Sequence, residues 1–238
     1  KYDAKRALMI KTLKYPIENT ENKALEYGYN DISQSTQIID LSKEKANIFN
    51  EFSNNHKRSI EKAKKILDVE IYDHQNINTE IFTEYEEFYK KAAGENVRPK
   101  KVFDLSYEYL INGCAALCIA KYKKLSVGFL LVIYYKNMAY FLNSAKEDAF
   151  NLCPISHLMH WKIILFLKKM KINFYEIGLR QFNNNLSENP SQKQLNIRLF
   201  KKGFGGNTIT KIAAEKFYDK DYAKKILHER VENFIAKL

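Results

Sequence analysis

Residues 114–145 limit most strongly what this chain can fold into. Three β-rich runs, 114–122, 126–135 and 138–145, are separated by a Lys-Lys turn and by Lys136-Asn137. Connections that short join antiparallel neighbours, because a parallel pair needs a crossover of a dozen or more residues. A meander is therefore predicted. Pro154 follows at a favoured first-turn position, and Ile155, Leu158, Met159, Ile163, Leu165 and Phe166 give a helix to about residue 170. A strand over 173–178 comes next. Strands in succession, then helix, strand and helix, make an α+β arrangement with a mixed, mainly antiparallel sheet flanked by helices.

The remaining elements read more weakly. Residues 1–30 show little periodicity and suggest no independent fold. Residues 35–41 read as a strand, after which Ser42 is expected to cap a helix to about 52. Asn54-Asn55 reads as a break. A helix over 56–67 carries Lys57, Arg58, Lys62, Lys64 and Lys65 around Ile60, Ala63 and Leu67, either a solvated face or a phosphate-binding one. Residues 68–73 alternate as a strand. Thr79 is expected to cap a helix to 93, whose Phe82, Tyr85, Phe88, Tyr89 and Ala92 form a core stripe ended by Gly94. A helix over 104–112 stops at Gly113. Residues 208–217 read as one last strand, and Asp219 caps a terminal helix to 237.

With 238 residues and a formal charge of +11, the chain has room for a domain plus part of another. The charge fits a polyanionic partner, and equally the solvated lysine faces of a Lys-rich composition. Cys114 and Cys118, four apart on one strand face, and the isolated Cys153 read as core thiols of a reduced, cytoplasmic protein. The longest apolar run, 126–135, is too short to span a bilayer. The first residues lack the features of a secretory signal. A start at Lys rather than Met is what a trimmed piece of a longer protein would show.

The stretch 173–207 looks most like a site: a strand ending at Gly178, a long Asn-rich loop, and a helix over 195–204 closing on Lys201-Lys202 and Gly205-Gly206. Loops this long in compact domains are usually functional or disordered. Glu176 lies on the same strand face as Phe174 and Gly178 and is a candidate general base, or else half of a structural ion pair. Glu147 and Asp148 are the other candidate bases. Lys201 sits where a helix dipole favours a cation and where glycines let a ligand approach, or it caps carbonyls. Arg180, Lys193 and Arg198 belong to the same loop-helix unit and could clamp phosphates. His157 and His160 have i, i+3 spacing but no evident third ligand, so packed histidines are favoured and no metal is expected. Neither a GxSxG elbow nor a spaced Cys/His pair is present, which argues against a nucleophilic hydrolase.

Several segments in combination resemble the FemAB-type aminoacyl and acyl transferases of the GNAT superfamily. They are Lys57-Arg58-Ser59-Ile60-Glu61-Lys62-Ala63, Pro154 before the long helix, Tyr175-Glu176-Ile177-Gly178 and, most specifically, Phe200-Lys201-Lys202-Gly203-Phe204-Gly205-Gly206. The resemblance spans about 36–217. It implies the GNAT-type acyltransferase fold, with 42–238 as the acyltransferase domain and 1–41 as the C-terminal part of a preceding one. It also implies an N-acyltransferase acting on an amino group of a phosphorylated or nucleotide-linked cell-envelope precursor, such as one for peptidoglycan. Acyl-CoA or aminoacyl-tRNA would be the donor, tRNA a partner, and the inner membrane face a site of peripheral contact. Glu176 and Lys201 would be catalytic. Arg58, Arg180, Lys193, Arg198, Lys202, Gly205 and Gly206 would bind substrate or donor. The connection 146–154 lacks the glycines that usually cradle a coenzyme A pyrophosphate, which predicts weak acetyl-CoA binding. The rival reading from charge alone is a non-catalytic module that binds RNA or another polyanion.

Overall fold

A computed structural model describes residues 4–11, 21–94, 98–147, 153–182, 186 and 189–237. In chain order these form β1 (Arg6–Ile10), a short 3-10 helix (Lys23–Tyr27), β2 (Asn30–Asp31), β3 (Gln34–Asp40), α1 (Lys45–Asn50), α2 (Asn54–Lys64) and β4 (Asp68–Tyr72). Next come α3 (Thr79–Ala93), α4 (Lys100–Ile111), β5 (Ala115–Tyr122), β6 (Leu125–Tyr135), β7 (Met138–Lys146), α5 (Ile155–Lys169) and β8 (Phe174–Arg180). The chain closes with α6 (Gln192–Lys202), β9 (Asn207–Lys211), β10 (Ala213–Phe217) and α7 (Lys220–Ile235). The elements fall into two compact units. One comprises Ile39–Glu176 with Gly203–Gly205; the other comprises Lys1–Ile38, Ile177–Lys202 and Gly206–Leu238.

The larger unit is built on the meander. β4, β5, β6 and β7 pair antiparallel in that order, and the start of β8 pairs parallel to β7 with Met138 opposite Phe174. Lys123 and Lys124 both have positive φ (47° and 71°), the backbone sense that lets a short hairpin follow the strand twist. Every residue from Ala115 to Ala120 is 0% exposed, so both faces of β5 are covered. Ala115, Leu117 and Ile119 face Phe82 and Tyr85 of α3 and Phe103 and Leu110 of α4. On the opposite face, Cys118 Sγ lies 3.9 Å from the Met159 carbonyl of α5. A Cβ on Gly128 would stand 2.7 Å from Ile155 Cγ2, so α5 sits close because residue 128 has no side chain. Burying each large apolar side chain in such layers contributes roughly 1.5–3 kcal/mol.

The smaller unit joins distant parts of the chain. β1 and β2 flank β10, with Leu8 opposite Glu215 and Asn30 also opposite Glu215, while β9 pairs antiparallel with β3. Residues 1–30, unassigned from sequence, thus contain β1 and the start of β2, and 207–217 supplies two strands where one was expected over 208–217. Isolated, neither β1 nor β10 has the alternation to declare itself. Pairing across more than 200 residues creates them.

Several helix starts also differ from expectation. Ser42 does not cap α1: its N–H and hydroxyl donate to Asp40 Oδ1 (2.9 and 2.6 Å), forming a turn, and Glu44 occupies the cap. Asn54-Asn55 is the first turn of α2 rather than a break, because Ser53 Oγ accepts from the His56 N–H at 3.3 Å. Asn78, not Thr79, caps α3 by accepting from the Ile81 N–H at 2.9 Å. Helix α4 begins at Lys100 after Pro99, earlier than expected. Asp219 caps α7 as predicted, its carboxylate accepting from the Tyr222 N–H at 2.8 Å.

Candidate functional site

Within the smaller unit, the end of β8 and helix α6 converge. Gly178 has φ 107°, a conformation that side chains rarely allow. Two residues on, Arg180 is only 8% exposed. Its Nη1 donates to Gln37 Oε1 at 3.2 Å and to Thr208 Oγ1, and Thr208 itself donates to Gln37 at 2.9 Å. Arg198 reaches in from α6. Its guanidinium carbon lies 4.8 Å from the Phe182 ring centre, and that of Arg180 lies 5.5 Å from the same ring. Burial, and then the Arg198 charge, push the Arg180 pKa below its ordinary value. Arg180 and Arg198 are therefore brought together, and Phe182 is the partner that sequence reasoning missed. Its place two residues after Arg180, hence on the same side of an extended chain, was the available signal.

Lys201 Nζ donates to the Leu179 carbonyl at 2.7 Å, which ties the last turn of α6 to the residue before Arg180. Lys193 and Lys202 are exposed on α6, and Gly206 has φ 74°. Helix α6 starts at Gln192 and ends at Lys202, earlier at both ends than the expected 195–204. Of the long loop, residues 183–185, 187 and 188 lie outside the described residues.

In the larger unit, Glu176 is 3% exposed on β8 and lies opposite Tyr140 in the parallel register. Burial raises the Tyr140 pKa, and the Glu176 carboxylate adds to the effect. Glu147 pairs with Lys91 at 2.8 Å, and Asp148 lies outside the described residues. Arg58 is exposed on α2, where it donates to the Asn54 carbonyl and Asn55 Oδ1, both at 3.3 Å.

The glycines at 203 and 205 answer to packing. A Cβ on Gly203 would lie 2.0 Å from His56 Cε1, and one on Gly205 would lie 2.6 Å from the Glu51 carbonyl oxygen. Between them Phe204 is fully buried, with the His56 ring 4.6 Å, the His160 ring 5.2 Å and the Phe52 ring 5.2 Å away. His157 stacks edge-on against His56 at 4.5 Å. Burial first, then the charges of His56 and Lys146, push the His157 pKa down to about 4. His160 Nδ1 and the Tyr175 hydroxyl share a 3.0 Å hydrogen bond. Among the described residues no cluster of three or more His, Cys, Asp or Glu side chains could hold a metal ion. Nor is any helix among them long and apolar enough to cross a membrane.

An antiparallel meander, the long helix α5, and β8 parallel to β7 make a GNAT-type fold, similar to those of FemX and of a tandem GNAT protein from the clavulanic acid biosynthesis pathway. The solved structures that it resembles include L-PGS from Bacillus licheniformis, with a TM-score of 0.62 at 13% identity over 87% of this chain and 68% of that one. FemX superimposes with a TM-score of 0.59 at 14% identity over 86% of this chain and 69% of its own. The C-terminal domain of a candidate lysylphosphatidylglycerol synthetase from Agrobacterium fabrum gives 0.60 at 10% identity, over 86% and 66%. The chain thus spans about two thirds of each, and at these identities the likeness is one of fold. By sequence it matches no family model and no curated protein.

Proposed function

We propose that this chain is an N-acyltransferase that moves an acyl or aminoacyl group onto an amino group of a phosphorylated or nucleotide-linked cell-envelope precursor. The observation that carries the reading is Lys201, held at the end of α6 by the Leu179 carbonyl inside a FemAB-like fold. In the reaction a neutral amine attacks the donor carbonyl, a C–N bond forms, the ester or thioester bond breaks, and the amine proton passes to a base. The Lys201 ammonium stabilises the charge that develops on oxygen. Arg180, Lys193, Arg198 and Lys202, in the same unit as Lys201, supply positive charge for phosphates of donor or acceptor. A neighbour named for lysylphosphatidylglycerol supports an aminoacyl donor over acetyl-CoA, as does the glycine-free connection 146–154.

The test offers aminoacyl-tRNA or acetyl-CoA, in parallel, with nucleotide-linked peptidoglycan precursors and follows amide formation by mass spectrometry. Product with the aminoacyl donor is expected. Product with acetyl-CoA alone moves the protein to the ordinary acetyltransferases. RNA binding that falls steeply with salt, without product from either donor, favours the polyanion-binding module instead.

A further inference from the structure

β1 is an edge strand with one side of its backbone unused. The Tyr218 N–H donates to the Lys5 carbonyl at 3.0 Å, and the Lys11 N–H donates to the Ile212 carbonyl at 2.9 Å. The register between them is continuous, so the odd-numbered residues share the ladder with β10. The N–H and C=O groups of Arg6, Leu8 and Ile10 therefore point away from β10, and no described strand lies on that side. Leu8 and Ile10 are also 59% and 62% exposed. Such a row is a template for another strand unless it is shortened, charged or covered. The other edge of this sheet, β2, has only two residues, and the edge strand β4 of the larger unit carries Asp68 and Glu70. β1 has neither protection, because its one charged residue, Arg6, is answered by Glu215.

A pocket of about 400 Å³ opens beside this strand, between β1 and the 3-10 helix. Met9, Tyr27 and Ile212 give it apolar walls, and Lys11, Lys23 and Glu21 add two cations against one carboxylate. Lys5 is exposed at the other end of β1. These charges favour acidic residues at the flanks of an incoming strand. A second copy of the chain fits less well. Antiparallel pairing through Arg6, Leu8 and Ile10 would centre on Leu8 and set Lys5 of each copy against Lys11 of the other. Like charges directly opposite one another are destabilising.

We propose that the outer edge of β1 docks an extended, acidic peptide segment, which adds as a further strand and places one apolar side chain in the adjoining pocket. Main-chain hydrogen bonds to Arg6, Leu8 and Ile10 supply affinity, and the pocket selects the central side chain. Lys5, Lys11 and Lys23 select acidic flanks. The site is independent of the acyl-transfer reading, since it needs neither Lys201 nor an acyl donor.

Fluorescence anisotropy on the full chain at low ionic strength tests this with the labelled peptide Asp-Glu-Thr-Val-Leu-Val-Thr-Glu-Asp and its versions with Met, Phe or Ser at the centre. Saturable binding is expected for the apolar centres, weaker by about tenfold for Ser, and weaker as salt rises. Two further peptides carry N-methyl groups on every odd or on every even residue. An added strand bonds β1 through one alternating set only, so one of the two should bind roughly tenfold weaker or worse, and the other close to the parent. Leu8→Pro removes an outward N–H that β10 does not use and should weaken the parent peptide by about 3- to 10-fold. Circular dichroism checks its fold, and where it fails to fold the N-methylated pair decides alone. Lys225→Gln, on the exposed face of α7, should bind as wild type. The proposal is overturned if none of the peptides binds, if the Ser version binds equally well, if both N-methylated peptides bind alike, or if folded Leu8→Pro binds as wild type. Self-association in sedimentation that Leu8→Pro abolishes, without peptide binding, would give the edge to a second copy and overturn the peptide as its occupant.

Discussion

Gly203 and His56 occupy one another's space: the position of a Cβ on residue 203 is 2.4 Å from His56 Nδ1 and 2.5 Å from Nε2. The ring fills the gap left by the missing side chain, and the Ser53 N–H donates to the Gly203 carbonyl at 2.8 Å alongside it. Gly203→Ala should therefore displace the imidazole or the turn, costing about 1–3 kcal/mol as overpacking does. Urea unfolding measures this, and an unchanged midpoint would refute the contact.

His157 should make stability fall in mild acid. Its pKa is about 4 in the folded chain against an ordinary 6.5, so between those values the unfolded chain binds a proton that the folded chain refuses. The contribution is full above pH of about 6.5, declines through the window, and is gone below about 4. Allowing for partial exposure of the ring, it should amount to roughly 1–2 kcal/mol. His157→Leu should flatten the profile between those limits. An identical slope in the variant would assign the effect to other groups.

Glu215 adds to the acid sensitivity of the smaller unit, here through a charge that the fold favours. Burial alone would raise its pKa, but hydrogen bonds and charge from Arg230 and Arg6 outweigh that and leave it below the ordinary carboxylate value. Its contribution is present above the unfolded pKa and lost as pH falls through the folded one. Arg230→Ala should cost about 3 kcal/mol, the low end for breaking a buried pair, because Arg6 remains at 2.6 Å. A loss under about 0.5 kcal/mol in denaturant unfolding would show the pair to be no more than a surface contact.

Lys201→Ala should lower acyl transfer by roughly 2–4 kcal/mol in transition-state stabilisation, the size of losing one oxyanion donor. It should also cost about 1–2 kcal/mol of stability through the hydrogen bond to the Leu179 carbonyl, a contact the sequence could not disclose. Lys202→Ala, exposed on the next position of α6, should be much milder in both. Rates from paired assays, normalised to folded protein, separate the effects. Equal rates for wild type and Lys201→Ala would remove this residue from the chemistry.

The meander was legible because its turns are local: with Lys123-Lys124 and Lys136-Asn137 as the connections, 115–146 has almost no other way to pair. The same holds for the stop at Gly113 and the cap at Asp219, where a single residue's φ or carboxylate decides the outcome within a few positions. One intervening helix, α5, gives the crossover that a parallel pairing of β8 with β7 needs. Other features were settled by tertiary structure alone. β1 exists because Leu8 meets Glu215, and 207–217 divides at Ile212 because β9 and β10 find different partners, β3 on one side and β1 and β2 on the other. In the candidate site the sequence marked Arg180, Arg198 and Lys201 by type and position. Only folding put Phe182 beneath two guanidiniums, Gln37 and Thr208 on one of them, and the Leu179 carbonyl on the lysine. Caps, turns and side-chain periodicity act over a handful of residues and can be read along the chain. Charge pairing and close packing join residues as far apart as 37 and 180, and which of many lysines and arginines acquires a buried partner is decided by the fold that brings them together.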